Sequence, residues 1–425
     1  MSCKPPLLCT IDRDKKRPKL TSQNTVRSDL SSHKGLYEKI VEHFSSPSED
    51  VRRSAAFAAG NIAVGNPSAF LPSILALIQS DDKKRYLALQ SLKEVIIHSP
   101  TESLAAISDQ LWTPLFENCE AQEEGTRNVA ADCLGQLTVI NPAKFLPQLQ
   151  ARLASDSRDT RATVIAALRF TFTNDSTTYD ELLAPLIVEF FKLMRDSDLG
   201  VRRLALSSLN SAAHNKPYLV RSHLDSLLPE LYAQTEVDQS LIRIVEMGPF
   251  KHKVDDGLDI RKTAYECMHS LLDTCAKQID LQEYLSRVIA GLADEEEVKK
   301  LCYIMLVKLA QVAPAVVAAR LDETVPSFTE TLGIVLKDNA VKQEAERTLE
   351  LQKSAVRCLA VLNHLASPSK PSRRSHRDFA LTDLRSALPA ASPKFVAFIS
   401  GSVATGKMAT EVGTLSSRSL LVHIN

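Results

Sequence analysis

The sequence predicts an all-α protein: an α-solenoid of about eight stacked helix pairs, interrupted once by a β-hairpin. Three observations carry that expectation. Glycine is sparse, 13 of 425 residues, against about 7% in ordinary chains, as suits packed helices joined by short turns. A long-period ruler runs through the chain, and one segment falls out of phase with it and changes from helical to strand periodicity.

The ruler has two independent markers. "NPSAFLP" at Asn66 returns as "NPAKFLP" at Asn141, and "KPYL" at Lys216 keeps the phase, so Pro67, Pro142 and Pro217 are evenly spaced. "VRRSAAFAAGNI" at Val51, "TRNVAADCLGQL" at Thr126 and "VRRLALSSLNSA" at Val201 place Arg52, Arg127 and Arg202 at the same interval. Half-phase copies at Arg85 and Arg161 divide it into units of about 33 and 42 residues, the lengths of helical-hairpin repeats. Asp-Val-Arg at 50 to 52 and Asp-Ile-Arg at 259 to 261 mark the turn and second helix of HEAT repeats, with a role in packing inside the stack.

The elements follow in order. Second helices are expected to start near 50, 82, 125, 158, 199, 258, 295 and 340, within a stack spanning residues 30–365. Their apolar stripes recur at helical spacing: Val51, Ala55, Ala58, Ile62; Val201, Ala205, Leu209, Ala212; Ile260, Ala264, Met268, Leu271. The repeated prolines open first helices, where a missing amide matters little, and "SPSED" and "RDSDLG" offer acceptors to the helices that follow. One helix pair cannot bury its apolar face alone, so stability must come from stacking. Segments 1–29 and 366–425 fall outside the stack and are expected to be largely disordered.

Composition excludes several function classes. With 51 basic and 51 acidic residues the formal charge is zero, so no global attraction to nucleic acid or to an anionic membrane is expected. The eight cysteines form no Cys-x-x-Cys pair and read as reduced core thiols. The N-terminal residues have no apolar signal core and no stretch reaches about 18 apolar residues, so a soluble intracellular protein is expected. "GSVATGKM" at 401–408 nearly spells a phosphate-binding loop but lacks the Ser or Thr after Lys407, and too little sequence follows it for the α/β domain such a loop needs. The basic clusters "KKRPK" at 15–19 and "SRRSHR" at 372–377 read as solvated tails, with nuclear import signals as the alternative. The carboxylates of "DEEEV" at 294–298 are assigned to a helix start rather than to acid-base work. His252 and His269 lack metal-ligand spacing; no cofactor, metal or catalytic residue is expected.

The ruler breaks once. A spacing of about 41 after Arg202 puts the next arginine near 243, yet "DIRK" places it much later, at Arg261. The flanking helical segments "PYLVRSHLDSLLPELYAQ" and "LDIRKTAYECMHSLLDTC" look normal, so the surplus maps to about 239–257. There Ile242, Ile244 and Glu246 alternate with Arg243, Val245 and Met247. After Gly248-Pro249, Phe250, His252 and Val254 alternate with Lys251 and Lys253. Gly248 suits a tight turn, and Asp255-Asp256-Gly257 returns the chain to a helix, with Asp256 as N-cap and Asp259 in the first turn. An isolated hairpin is marginal in water, so this one docks into a partner, folds back on its own repeats, or stays a disordered loop.

"LIRIVEMGPFKHKVDDGLDIRKTAYECMHSLLD", "EEGTRNVAADCLGQL", "VRRLALSSLNSAAHNKP" and "DNAVKQE" closely resemble the C-terminal HEAT arch of the cullin-associated, neddylation-dissociated proteins, also described as TATA-binding-protein-interacting proteins. The resemblance covers about residues 30–365. It implies a non-catalytic scaffold, in nucleus and cytoplasm, that wraps an unneddylated cullin with its RING partner and competes with substrate-receptor adaptors. The TATA-binding protein is a second partner by name. The C-terminal arch of the family grips the N-terminal, adaptor-docking region of the cullin with a β-hairpin. Carried over, that hairpin is Ile242, Arg243, Ile244, Val245, Glu246, Met247, Gly248, Pro249, Phe250, Lys251, His252, Lys253, Val254, Asp255 and Asp256. The family's N-terminal arch has no counterpart in this sequence, so masking of the cullin lysine is expected to be lost and affinity to fall. A general HEAT scaffold in nuclear transport or transcription is the alternative reading.

Overall fold

The computed structural model describes residues 28–33, 35–80, 82–247, 250–335 and 341–366, with positions 80, 82, 247, 250–252 and 363–366 as backbone alone. The expectations for the basic clusters, for "GSVATGKM" and for the Gly248-Pro249 turn lie outside these residues. Two compact units are formed, one up to Cys133 and one from Leu134.

The first unit pairs α1 (Leu36–Glu42) with α2 (Glu49–Gly65), and α3 (Pro67–Ser80) with α4 (Asp82–His98). Then come α5 (Thr101–Glu117) and the start of α6 (Glu124–Ile140), within which the boundary between units falls. The second unit pairs α7 (Pro142–Ala151) with α8 (Arg158–Thr171), then the broken first helix α9 (Thr177–Leu183) and α10 (Ile187–Phe191) with α11 (Leu199–Asn215). Next, α12 (Pro217–Arg221) and α13 (Leu224–Ala233) lead into β1 (Ile242–Met247) and β2 (Phe250–Asp255), followed by α14 (Leu258–Cys275). Two further pairs close the unit: α15 (Leu281–Gly291) with α16 (Glu296–Val312), and α17 (Pro314–Ala318) plus α18 (Val325–Gly333) with α19 (Lys342–Ala366). Every second helix begins at or close to its expected position. The segment read as one helix after Pro217 is two, parted after Arg221.

Stacking runs through the second helices. In the first unit α2 packs on α4; in the second, α8 on α11, α11 on α14, α14 on α16 and α16 on α19. Small residues permit the close approach. A Cβ added at Gly60 would lie 2.5 Å from the Ser91 carbonyl oxygen, and one at Gly135, its equivalent one period of the ruler later, 2.6 Å from that of Ala167. Two serines spend their hydroxyls on the neighbouring helix: Ser91 donates to the Ala56 carbonyl at 2.8 Å and Ser208 to that of Ile165 at 3.1 Å.

The expected stripes are buried in α11 (Val201, Ala205, Leu209, Ala212) and in α14 (Ile260, Ala264, Met268, Leu271). In α2 the stripe is displaced. Ala55, Ala56, Ala59 and Ala63 are buried, whereas Val51 is 41% exposed and Ile62 and Ala58 are half-buried. The difference follows from neighbours: α11 lies between α8 and α14, while α2 has only the short α1 described before it. Cys119, Cys133, Cys267, Cys275, Cys302 and Cys358 are buried; burial pushes the Cys133, Cys267 and Cys358 thiols up, holding them protonated.

Helix starts show a repeated device. The arginine at the fourth position of a second helix reaches back to the turn before it. Arg52 donates to the Ser46 carbonyl at 2.8 Å, Arg127 to that of Ala121 at 2.6 Å and Arg161 to that of Ser155 at 2.7 Å. Arg202 donates to the Asp196 carbonyl in the same way. This is the packing role expected for Asp-Val-Arg. Asp198 caps α11 as expected, accepting from the Val201 amide at 3.0 Å, but Ser48 makes no side-chain cap to α2. There Arg52 ties up the turn carbonyls, and the Ser48 amide turns to the Ser46 hydroxyl at 3.3 Å.

Candidate partner-binding hairpin

The out-of-phase segment forms two antiparallel strands. Ile242 pairs with Asp255, Arg243 with Val254, Ile244 with Lys253, Val245 with His252, Glu246 with Lys251 and Met247 with Phe250. Alternation therefore assigns positions 242, 244, 246, 251, 253 and 255 to one sheet face and 243, 245, 247, 250, 252 and 254 to the other. Ile244 is 69% exposed; Arg243, Glu246 and Lys253 are exposed; Ile242, Val245 and Val254 are half-buried. Of the fifteen residues carried over from the family, 248 and 249 lie outside the described residues, and 247 and 250–252 are placed by backbone alone.

What holds so small a sheet in place is its base. The Arg261 guanidinium, on α14, grips the Asp255 carboxylate at 2.8 and 3.2 Å and the Asp294 carboxylate at 2.7 and 2.8 Å. These side chains are only 2%, 7% and 5% exposed. Burial opposes the charge on Arg261, but hydrogen bonds to Asp294 and Asp255 outweigh it and raise its pKa. The hydrogen bonds from Arg261, against the opposing effect of burial, hold Asp255 below the usual carboxylate range. On the outside, Lys253 meets Glu295 at 3.0 Å and Arg243 meets Asp256 at 2.8 Å. The Asp256 amide donates to the Leu241 carbonyl at 3.1 Å, closing the base with backbone.

One expectation is corrected here, and the carboxylates of 294–298 do lie at a helix start, with Glu296 and Glu297 in the first turn of α16. Asp256 does not cap α14: Gly257 occupies that position without a side-chain bond, and the Gly257 amide is taken by Asp255 at 3.0 Å. Asp256 lies one residue outside that position and pairs instead with Arg243. Asp294 does accept from the Glu295 amide at 2.6 Å at the start of α16, but its larger engagement is with Arg261. Of the other carboxylates in that run, Glu295 takes Lys253 and Glu296 takes Lys300 at 2.7 Å.

Beside the base lies a cleft of about 530 Å³ whose walls include Ile242, Lys253, Glu296, Lys299, Ile334 and Leu351. Ion pairs and aliphatic carbons line it; Lys299 pairs with Glu330 at 3.2 Å. His269 faces Asp273 across 3.8 Å and shares that carboxylate with Lys308 at 2.6 Å. Among the described residues no group of three His, Cys, Asp or Glu side chains is placed to hold a metal ion.

Residues 219–383, which contain the hairpin and its clamp, match the family model described as TATA-binding protein interacting (TIP20). The chain is 44% identical over 347 residues to cullin-associated NEDD8-dissociated protein 2 of Rattus norvegicus, covering 82% of this chain and 27% of that protein. To cullin-associated NEDD8-dissociated protein 1 of Drosophila melanogaster it is 45% identical over 347 residues, 80% of this chain and 28% of that one. The protein 1 C-terminal part of Emericella nidulans is 40% identical over 314 residues, 73% of this chain and 30% of that one. The chain thus spans little more than a quarter of the length of the first two. Among solved structures, yeast importin-β (Kap95p) is similar with a TM-score of 0.56 at 14% identity, covering 89% of this chain and 47% of that one, a likeness of HEAT-solenoid fold alone. With the matched domain across the hairpin and this identity along most of its length, the chain belongs to the TATA-binding-protein-interacting family, whose members are named cullin-associated NEDD8-dissociated proteins.

Proposed function

We propose that this chain is a non-catalytic scaffold that binds an unneddylated cullin at its N-terminal, adaptor-docking region and competes there with substrate-receptor adaptors. The names of its relatives support the cullin as partner. The observation that carries the reading is the hairpin itself: a two-stranded sheet bearing an isoleucine 69% exposed at Ile244, on a base locked by buried charge. Two strands alone rarely hold their shape in water, so a clamped base with an apolar outer residue suits a preformed wedge. A few such anchors dominate an interface when they enter a partner's pocket.

The test is capture of a purified, unmodified cullin N-terminal region by this chain and by a variant in which residues 242–255 are replaced with a short Gly-Ser linker. Loss of capture in the variant, and displacement of the intact chain by a purified adaptor, are the expected results. Equal retention by both chains would overturn the proposal.

A further inference from the structure

We propose that Arg261 is the positioning residue of the hairpin, fixing its angle jointly to the repeat that carries it and to the repeat that follows. The equivalent arginines Arg52, Arg127 and Arg161 reach the residue six positions back through its backbone carbonyl. At Arg261 the residue six positions back is Asp255, and it is the carboxylate that is taken, at 2.8 and 3.2 Å. Asp255 is also the last residue of β2 and the register partner of Ile242, the first of β1. Holding it therefore fixes the point where both strands leave the stack.

The second carboxylate gives the clamp its direction. Asp294 sits in the turn that opens α16, and its bonds to Arg261 at 2.7 and 2.8 Å tie that turn to α14. Arg161 makes the corresponding bridge to Asp196, at 2.6 and 2.8 Å, so the same bridge occurs in the stack where no hairpin is attached. Only the hairpin's attachment to it is added. One planar guanidinium thus satisfies two carboxylates along adjacent edges, Nε and Nη2 on Asp294 and Nη1 and Nη2 on Asp255, a geometry that an ammonium group cannot reproduce. Lys253 of β2 and Glu295 at the start of α16, 3.0 Å apart, join the hairpin to that turn directly, further out. A change in the angle between α14 and α16 must then move the hairpin, or break a buried ion pair.

The consequence for binding rests on the cullin reading above; the positioning itself does not. Hydrogen exchange of the full chain separates the two, comparing Arg261→Lys with Arg161→Lys, which weakens the same bridge where no hairpin is attached. In Arg261→Lys, amides of 242–246 are expected to exchange roughly tenfold faster while those at the centre of α11 stay protected. Arg161→Lys leaves the hairpin at its wild-type rate. Should Arg261→Lys not fold, Asp255→Asn, which keeps the Asp294 bridge and weakens only the hairpin's attachment, supplies the same comparison. Hairpin exchange unchanged, or raised equally in the Arg161 variant, would overturn the proposal.

Affinity for the cullin N-terminal region is read on the same samples. Loss of preorganisation is expected to weaken it roughly tenfold in Arg261→Lys. If the wild-type chain shows no affinity, the cullin reading falls, and the exchange comparison still decides the positioning.

Discussion

Arg161 and Asp196, far apart in sequence, meet in a two-pronged ion pair of 2.6 and 2.8 Å between one second helix and the turn that opens the next. Their side chains are 12% and 5% exposed. The pair belongs to the stack rather than to a surface, so it should be felt in stability.

Removing one partner leaves the other charged and buried, which typically destabilises by about 3 to 5 kcal/mol. Arg161→Met is therefore expected to lower the urea midpoint of the unit that begins at Leu134 by several tenths of a molar or more. Arg158→Met, whose side chain is 66% exposed and which pairs loosely with Asp198 at 3.5 Å, should change it little. Denaturation of both variants in parallel checks the contrast.

The close helix approaches lead to a second expectation. The two glycines one period apart face backbone, where nothing flexible can yield: Gly60 toward Ser91 and Gly135 toward Ala167. Gly135→Val would force α6 and α8 apart, with a destabilisation of about 1 to 3 kcal/mol from overpacking. Gly125→Ala, whose new carbon would meet only the Tyr86 ring at 3.4 Å, is expected to be close to neutral or slightly stabilising through helix propensity. Thermal melts of the two variants check the order.

The repeat is legible in the sequence because its markers are local and periodic: the prolines, the fourth-position arginines and the apolar spacing all recur in one dimension. The partners of those arginines are not. Asp255 and Asp256 are chemically identical neighbours, and which of them meets Arg261 depends on strand parity at the end of β2. Asp294 reads as a helix-start carboxylate because that is its sequence context; its guanidinium partner lies a whole repeat upstream. Val51 shows the converse limit, since an apolar period cannot say whether a neighbouring helix is present to cover it. The hairpin itself is legible as a phase error combined with alternation, yet the clamp at its base needs three dimensions.

Acid should test the buried carboxylates. Asp255 is held below the usual range by its hydrogen bonds to Arg261. For Asp196 burial works upward, but the bonds from Arg161 and the Asp198 amide outweigh it. A carboxylate depressed on folding contributes stability that is complete above its unfolded value, near about 3.9. That contribution is lost as pH falls through the lower folded value. The gap in urea midpoint between wild type and Asp196→Asn is therefore expected to be constant from neutral pH to about pH 5. Below about pH 4 it should close. A gap that persisted unchanged into strong acid would remove the ionic account of this bridge.

Ile244 offers the sharpest separation of binding from folding. It is 69% exposed, it pairs across the sheet with Lys253, and it stands outside the buried clamp. Ile244→Glu keeps the strand and places a carboxylate beside a lysine already engaged by Glu295, so the melting temperature is expected to move by no more than a degree or two. If the residue enters an apolar pocket on the cullin, burying the new charge there should weaken binding by about 2 kcal/mol or more, some thirtyfold or beyond. Ile244→Val, which keeps an apolar surface, should retain most of the affinity. Isothermal titration of the three chains against the cullin N-terminal region reads the result directly. A full-strength complex with the glutamate variant would mean that this face of the hairpin stays in water when the partner is bound, and that the contact is made by the opposite face.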